Sequence, residues 1–194
     1  MDKIEPLIRE MLEVAHLCFL RGLVSGTSGN LSVRKGNTIW ISASGTCLGT
    51  LSEREILPIP LKNEHPVSTR SLQAKPSSEC PFHRYLYEHS SFQAILHLHP
   101  PYCIALSFYL SEFTPETSER SYFPERIQVI PQSGPNISDY PYVVKALMQD
   151  RIVILKHHGI VSAGEDVKEA FYLADALEHT ARIAFLKRVW AQFP

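Results

Sequence analysis

Apolar side chains recur at helical spacing near both ends of the chain. From Ile4 to Arg21 they fall every three or four residues, and Gly22 follows directly. From Val167 to Trp190 a longer stripe keeps the same spacing, through Ala170, Leu173, Ala174, Leu177, Ala181, Ala184 and Phe185. This period is that of an amphipathic helix, and glycine is a frequent helix stop. The pattern therefore predicts two long helices, each with one apolar face in the core or at an interface.

Shorter apolar or alternating runs between these helices predict strands. Leu31–Arg34 and Thr38–Ser42 flank the turn residues Lys35-Gly36-Asn37, which is typical of a β-hairpin. Leu57–Leu61 contains two prolines, which lack the N–H of a central strand and favour an edge position. Further strands are predicted at 94–99, Arg126–Ile130, Arg151–Leu155 and Ile160–Ser162.

Three shorter helices complete the expected pattern. They run from Ser77 or Ser78 to about His89, over Pro101–Leu110 and over Asp139–Gln149. Between the elements, Lys62–Lys75 is expected at the surface and Ser111–Glu125 is expected to be irregular. Because the early connections are hairpin-like, we expect a mainly antiparallel central sheet with helices on both faces. The fold class is thus α/β, and residues 1–194 are expected to form a single domain.

Composition and charge narrow the functional classes. The chain has 194 residues, 44% of them hydrophobic, and a formal net charge of -1. This balance gives no electrostatic reason to expect a nucleic-acid or membrane partner. No run approaches the roughly 18 apolar residues of a membrane span, and the N-terminus does not resemble a signal peptide. Four widely spaced cysteines without a Cys-x-x-Cys pair favour a reducing, cytoplasmic compartment.

The strongest chemical signal is His97-Leu98-His99 at the end of a predicted strand. Alternate side chains of a strand share a face, so His97 and His99 point the same way. Two neutral imidazoles on one face suit Zn²⁺ or another borderline divalent ion. A catalytic metal site normally needs at least a third protein ligand, so the pair alone also fits two polar residues at a strand end.

Three loops rich in small residues are candidates for anion binding. They are Gly26-Thr27-Ser28-Gly29-Asn30, Ser42-Ala43-Ser44-Gly45-Thr46 and Ser77-Ser78-Glu79. Glycine lets backbone amides approach a ligand closely, and hydroxyl side chains add donors. Each loop by itself also fits an ordinary turn. Glu79 by itself fits either a charge that favours a helix start or a metal ligand or general base.

The order of the motifs along the chain is more specific than any one of them. The set consists of the three loops, His83 downstream of Glu79, the His-x-His pair and His157-His158-Gly159. The sequence resembles the class II aldolase/adducin family, particularly its L-fuculose-1-phosphate aldolase-like members, from about Ile4 to Trp190. The resemblance implies a class II aldolase-like three-layer fold and a divalent metal, usually zinc. The implied metal ligands are Glu79, His97, His99 and His158, with His157 as a neighbour.

The resemblance also implies a phosphate site, a partner and a proton donor. Substrate phosphate would be bound by Asn30, Ser44, Gly45, Ser77 and Ser78. Members of the family form homotetramers in which each site borrows groups from a neighbouring subunit. In the sugar aldolases one such group is a tyrosine that acts as proton donor, and Tyr122 is the candidate here. Glu79 would leave the metal and carry the proton at the reacting carbon.

The function implied is metal-dependent cleavage of a phosphorylated ketose into glycerone phosphate and an aldehyde. Two enzymatic alternatives use the same kind of zinc site, namely methylthioribulose-1-phosphate dehydratase and ribulose-phosphate 4-epimerase. The glutamate of Ser77-Ser78-Glu79 argues against the epimerase. A non-catalytic, adducin-like scaffold is the alternative of another class, and the presence of all three candidate histidine ligands disfavours it. The fold alone does not decide among these functions.

Overall fold

One eight-stranded sheet runs through the chain in a computed structural model that describes residues 4–62 and 74–193. Its strands are β1 (Asn30–Lys35), β2 (Thr38–Ser42), β3 (Ile56–Pro60), β4 (Ala94–Leu98), β5 (Glu112–Phe113), β6 (Ile127–Ile130), β7 (Ile152–Leu155) and β8 (Gly159–Gly164). They lie in the order β3-β2-β1-β4-β8-β7-β6-β5. Every neighbouring pair is antiparallel except β6 and β7. The expected α/β fold with a mainly antiparallel sheet is therefore confirmed.

Within the described part of the chain, five α-helices cover the two faces of this sheet. They are α1 (Glu5–Leu20), α2 (Cys80–His89), α3 (Pro101–Ser107), α4 (Tyr140–Asp150) and α5 (Val167–Trp190). The last helix has the bounds that its apolar stripe predicts, and Asp166 caps it by accepting the N–H of Glu169 at 2.7 Å. Helix α4 connects the one parallel pair, because parallel neighbours need a crossover rather than a hairpin.

The central strand β4 is buried on both faces and separates two hydrophobic layers. Leu96 and Leu98 pack in the layer of α1, α3 and α5, whereas Ile95 packs in the layer of α2 and α4. Since alternate residues share a face, His97 lies on the same side of the sheet as Ile95. The sheet thus directs His97 toward α2 and the loops around it.

Some boundaries differ from the sequence prediction, for local reasons. Helix α2 begins at Cys80, and the N-cap position is taken by Glu79, whose own side chain makes no capping bond. Ser77 instead accepts the N–H of Glu79 through its Oγ at 3.2 Å. Pro81, whose fixed φ favours a first turn, sets this start. Helix α3 ends at Ser107 instead of Leu110, because the next two N–H groups, those of Phe108 and Tyr109, bond to carbonyls three residues back. The segment expected to be irregular contains β5 and a 3-10 turn at Ser118–Tyr122.

Two further observations concern expectations from composition. All four cysteines are free thiols, in agreement with the absence of paired cysteine motifs. Among the described residues, no helix combines the length and apolar character that crossing a bilayer requires. The surface prediction for Lys62–Lys75 falls almost wholly outside the described residues.

Candidate active site

Three histidines converge where β4 ends and β8 begins. His97 lies on β4, His99 follows that strand, and His158 comes from the tight connection between β7 and β8. Gly159 makes this approach possible, since a Cβ atom there would lie 2.2 Å from the carbonyl oxygen of Leu98. Only glycine therefore lets β8 start against the backbone that carries the His97–His99 pair.

The geometry of these imidazoles suits a small divalent ion. One nitrogen from each ring lies within 4.8 Å of the other two, and the Nε2 atoms of His97 and His99 are 3.0 Å apart. Zinc bonds of about 2.0–2.1 Å in a tetrahedral arrangement imply ligand nitrogens roughly 3.3–3.4 Å apart. His97 Nδ1 lies 3.0 Å from the carbonyl oxygen of Ile160, to which it donates when Nε2 keeps its lone pair. The three side chains thus fit the metal that the sequence predicts.

The pKa values of the three histidines favour the neutral form of each ring. Burial lowers the pKa of His97 well below its usual value, and the nearby His99 and His158 lower it further. Burial and then His158 lower the pKa of His99 to about 4, and burial lowers the pKa of His158. All three rings are therefore neutral near pH 7, the state in which an imidazole nitrogen binds a metal.

His157 supports the cluster from outside it. Its φ of 61° is in the left-handed region, at the bend that turns β7 into β8. Its N–H donates to Ser107 Oγ at 2.8 Å, and its ring stacks on Phe108 with centroids 4.2 Å apart. These contacts to the end of α3 fix the loop that carries His158, as expected of a neighbour rather than a ligand.

Glu79 lines the same cavity but lies outside the group of three imidazoles in this conformation. Its two carboxylate oxygens accept the N–H of Ile137 at 3.1 and 3.3 Å. Burial raises the pKa of Glu79, and the Ile137 N–H partly opposes that shift. A buried carboxyl group with a raised pKa beside three neutral imidazoles is suited to proton transfer. Its role as a metal ligand remains a prediction.

The five residues expected to bind phosphate line one cavity of about 170 Å³ with Glu79 and the three histidines. These residues are Asn30, Ser44, Gly45, Ser77 and Ser78. Backbone bonds join two of the loops, since Ser44 N–H donates to Lys75 O at 2.8 Å and Ser77 N–H donates to Ser42 O at 3.1 Å. The candidate phosphate and metal subsites are thus adjacent.

Two cavity residues, Pro135 and Asn136, were not predicted from the sequence. They belong to the loop between β6 and α4, which Ile137 ties to Glu79. Asn136 therefore reaches the cavity on the loop that is bonded to Glu79. The only sequence signal was a stretch of Pro, Ser, Gly and Asn directly after a strand, which also fits an ordinary loop.

Tyr122, the predicted proton donor, does not join this cavity within one chain. It is exposed in the 3-10 turn, where it lines a different cavity with Arg151 and Asp166. These two residues flank β7 and β8 at the ends opposite His158. Any role of Tyr122 at the histidine cluster therefore requires a second copy of the chain.

Comparison with known proteins gives a consistent likeness over nearly the whole chain. The family model for the class II aldolase and adducin N-terminal domain matches residues 9–185. L-fuculose phosphate aldolase of Methanococcus maripaludis strain C7 is 31% identical over 176 residues, which are 90% of this chain and 94% of that protein. The crystal structure of L-fuculose-1-phosphate aldolase from Thermus thermophilus has a TM-score of 0.87 and 28% identity, with 97% of each chain covered.

A relative named for a different reaction is nearly as similar to this chain in sequence. The 3-oxo-tetronate 4-phosphate decarboxylase of Escherichia coli K12 is 29% identical over 197 residues, covering 95% of this chain and 89% of that protein. The similarity thus identifies the kind of fold and site more closely than it identifies the reaction.

Proposed function

We propose, because this chain belongs to the class II aldolase and adducin family, that it is a zinc-dependent lyase that cleaves a phosphorylated ketose. The products would be glycerone phosphate and an aldehyde, and L-fuculose 1-phosphate is the first substrate to test. The observation that carries the proposal is one cavity lined by three neutral imidazoles, Glu79 and three small-residue loops. A non-catalytic scaffold has no need of such a cavity.

The chemistry assigned to the chain's own residues follows from their positions. A zinc ion held by His97, His99 and His158 would supply Lewis-acid polarisation of the ketose carbonyl. Asn30, Ser44 and Ser77 would hold the phosphate next to it and so orient the C3–C4 bond. When that bond breaks, its electron pair stays with the phosphate-bearing fragment and the C4 hydroxyl gives up its proton to become the aldehyde. Glu79 in its protonated form would deliver the proton that C3 then gains.

The experiment that tests this function scores four reactions separately. Zinc-loaded protein is incubated with phosphorylated ketoses and with 3-oxo-tetronate 4-phosphate. Products of C–C cleavage, dehydration, epimerisation and decarboxylation are then resolved by mass spectrometry and NMR. The proposal expects glycerone phosphate and an aldehyde from a ketose phosphate, at the fastest rate of the four. Faster carbon dioxide release would instead assign the decarboxylase activity named for the Escherichia coli relative.

Tyr122 could act at the histidine cluster only in a second copy of the chain, so its role can be tested by mixing subunits. We propose a homotetramer in which Tyr122 acts in a neighbouring site, where it takes up the proton of the C4 hydroxyl during cleavage and donates it to the aldehyde oxygen in the reverse, synthetic direction. The Tyr122→Phe and His97→Ala variants should each be inactive, for different reasons. When equal amounts are unfolded and refolded together, roughly a quarter of the sites should combine an intact His97 with a neighbour's intact Tyr122.

Activity measured in this mixture, with light scattering to report assembly, decides the point. Each variant refolded alone is the control. A tetramer without recovered activity would show that Tyr122 does not act between subunits, and a monomer would exclude the shared site altogether.

Asn136 should select the aldehyde fragment. It lines the cavity on the loop that Ile137 bonds to Glu79, and we assign its carboxamide to the part of the substrate that leaves as aldehyde. In the synthetic direction, the Asn136→Ala variant should use glycolaldehyde about tenfold less well, as expected for one lost hydrogen bond. Propanal has a methyl group in place of the hydroxyl, and its use should be nearly unchanged.

The measurement is kcat/KM for each aldehyde at saturating glycerone phosphate, for wild type and variant. An equal loss with both aldehydes would mean that Asn136 shapes the loop without contacting the hydroxyl.

A further inference from the structure

A buried chain of hydrogen bonds lies beneath the candidate phosphate site and has no place in the proposed mechanism. His83 on α2 is fully buried, and its Nδ1 lies 2.7 Å from Ser32 Oγ on β1. Ser32 Oγ in turn lies 2.9 Å from the hydroxyl of Tyr87, which donates to the carbonyl oxygen of Ser32 at 3.0 Å. These contacts hold the imidazole ring of His83 in one orientation.

The other side of that ring has an unsatisfied polar atom. Nε2 of His83 is buried and has no hydrogen-bond partner among the described residues, and the same is true of Oδ1 of Asn30. A buried polar atom without a partner costs free energy, and such atoms in native proteins usually bond to ordered water. Asn30 lines the polar cavity, and a water molecule shared between its Oδ1 and Nε2 of His83 would satisfy both atoms.

The strand register places Asn30 on the face of β1 that His83 packs against. Asn30 and Ser32 are two residues apart on β1, so they share a face, and their partners on β4 are His97 and Ile95. His83 contacts Ser32 and follows Glu79 by one helical turn. It thus lies one helical turn after Glu79 and against the strand position two residues from Asn30. His83 is also near enough to His97 to affect its pKa. The pKa of His97 is lowered chiefly by burial, then by His99 and His158, and to a smaller extent by His83.

We propose that His83 is a positioning residue for phosphate recognition, joined to Oδ1 of Asn30 through one ordered water. Because the Tyr87 hydroxyl donates to the Ser32 carbonyl oxygen, the Ser32 hydroxyl donates to Tyr87 and accepts from Nδ1–H of His83. Nε2 therefore accepts from the water, and the second hydrogen of that water is left to donate to Oδ1 of Asn30. The two ends of an Asn amide are alike in shape, and only hydrogen bonds decide which end faces a ligand. With Oδ1 held inward, the NH₂ group faces the cavity. A flipped amide would present an oxygen to an anion.

This inference rests on the proposed function only in taking phosphate as the group bound there. The probe is inorganic phosphate, titrated calorimetrically into the zinc-loaded protein. The His83→Leu variant should retain stoichiometric zinc but bind phosphate roughly tenfold more weakly, a loss of about 1.4 kcal/mol. The His83→Gln variant should restore most of the affinity, because its terminal amide reaches the position of Nε2.

Tyr87→Phe is the matched control, because it breaks the same buried chain at its far end. It should lower the thermal unfolding temperature and leave the phosphate dissociation constant within about twofold, since the water between His83 and Asn30 remains. A high-resolution crystal structure should show that water in hydrogen-bond contact with both atoms.

The outcomes separate this inference from the proposed function. If wild type binds phosphate and His83→Leu binds it equally well, the positioning role is wrong and the aldolase proposal stands. If Tyr87→Phe loses as much phosphate affinity as His83→Leu, His83 has only a structural role. If wild type does not bind phosphate at all, the phosphate subsite itself is wrong, and the proposed function falls with it.

Discussion

The His97→Ala variant is expected to lose its zinc. His97 is the buried member of the cluster, and its Nε2 lies 3.0 Å from that of His99, so it would contribute a direct bond to the metal. Changes beyond the direct ligands typically cost 10–100-fold in metal affinity, and loss of a ligand should cost far more. Two imidazoles then remain, one fewer than a catalytic zinc site usually has.

Zinc content after dialysis, measured by mass spectrometry of the metal, checks this result. His157→Asn is the matched control, because His157 is an exposed neighbour outside the cluster and asparagine tolerates its left-handed backbone. The control should keep one zinc per chain. If His97→Ala also keeps one zinc per chain, the histidine cluster is not the metal site.

The Glu79→Gln variant is expected to keep its zinc and lose most of its activity. Glutamine has nearly the same shape, and its Oε1 can still accept the N–H of Ile137 that now bonds to the carboxylate. It cannot carry the proton at the reacting carbon. General acid–base catalysis typically contributes about 10²–10⁴-fold in rate, so kcat should fall by that order while the three imidazoles still hold the metal.

Steady-state kinetics and zinc content measured on the same preparation test both parts of this prediction. Glu88→Gln removes an exposed carboxylate from the same helix and should leave both values unchanged. Undiminished turnover in Glu79→Gln would remove Glu79 from the mechanism. Loss of zinc together with activity would instead make Glu79 an essential ligand, which its place outside the cluster does not suggest.

Local patterns predicted much of the fold and half of the site. The period of an α-helix gave the bounds of α5, and the period of a strand placed His97 and His99 on one face. Both properties depend only on neighbouring residues in the chain. The meeting of these residues with His158 depends on the pairing of β4 with β8, which no local pattern specifies. The resemblance to a family supplied that part.

The remaining features depend on tertiary contacts that leave little trace in the sequence. The bond from Ile137 to the Glu79 carboxylate brings Asn136 to the cavity, although these segments are far apart in the chain. Likewise, the unsatisfied atoms of Asn30 and His83 become visible only when β1 and α2 are packed together. The location of Tyr122 at the opposite end of β7 also follows from topology, and not from its neighbours in sequence.

The most direct test of the central claim measures glycerone phosphate released from L-fuculose 1-phosphate by the same preparation in three states. These states are the zinc-loaded protein, the protein stripped with a chelator, and the stripped protein to which zinc has been returned. The account predicts cleavage in the first state, loss of cleavage in the second and recovery in the third, with one aldehyde for each glycerone phosphate. Equal cleavage by the stripped protein would contradict the role of the metal, and a zinc-loaded protein that cleaves no phosphorylated ketose would contradict the proposed function.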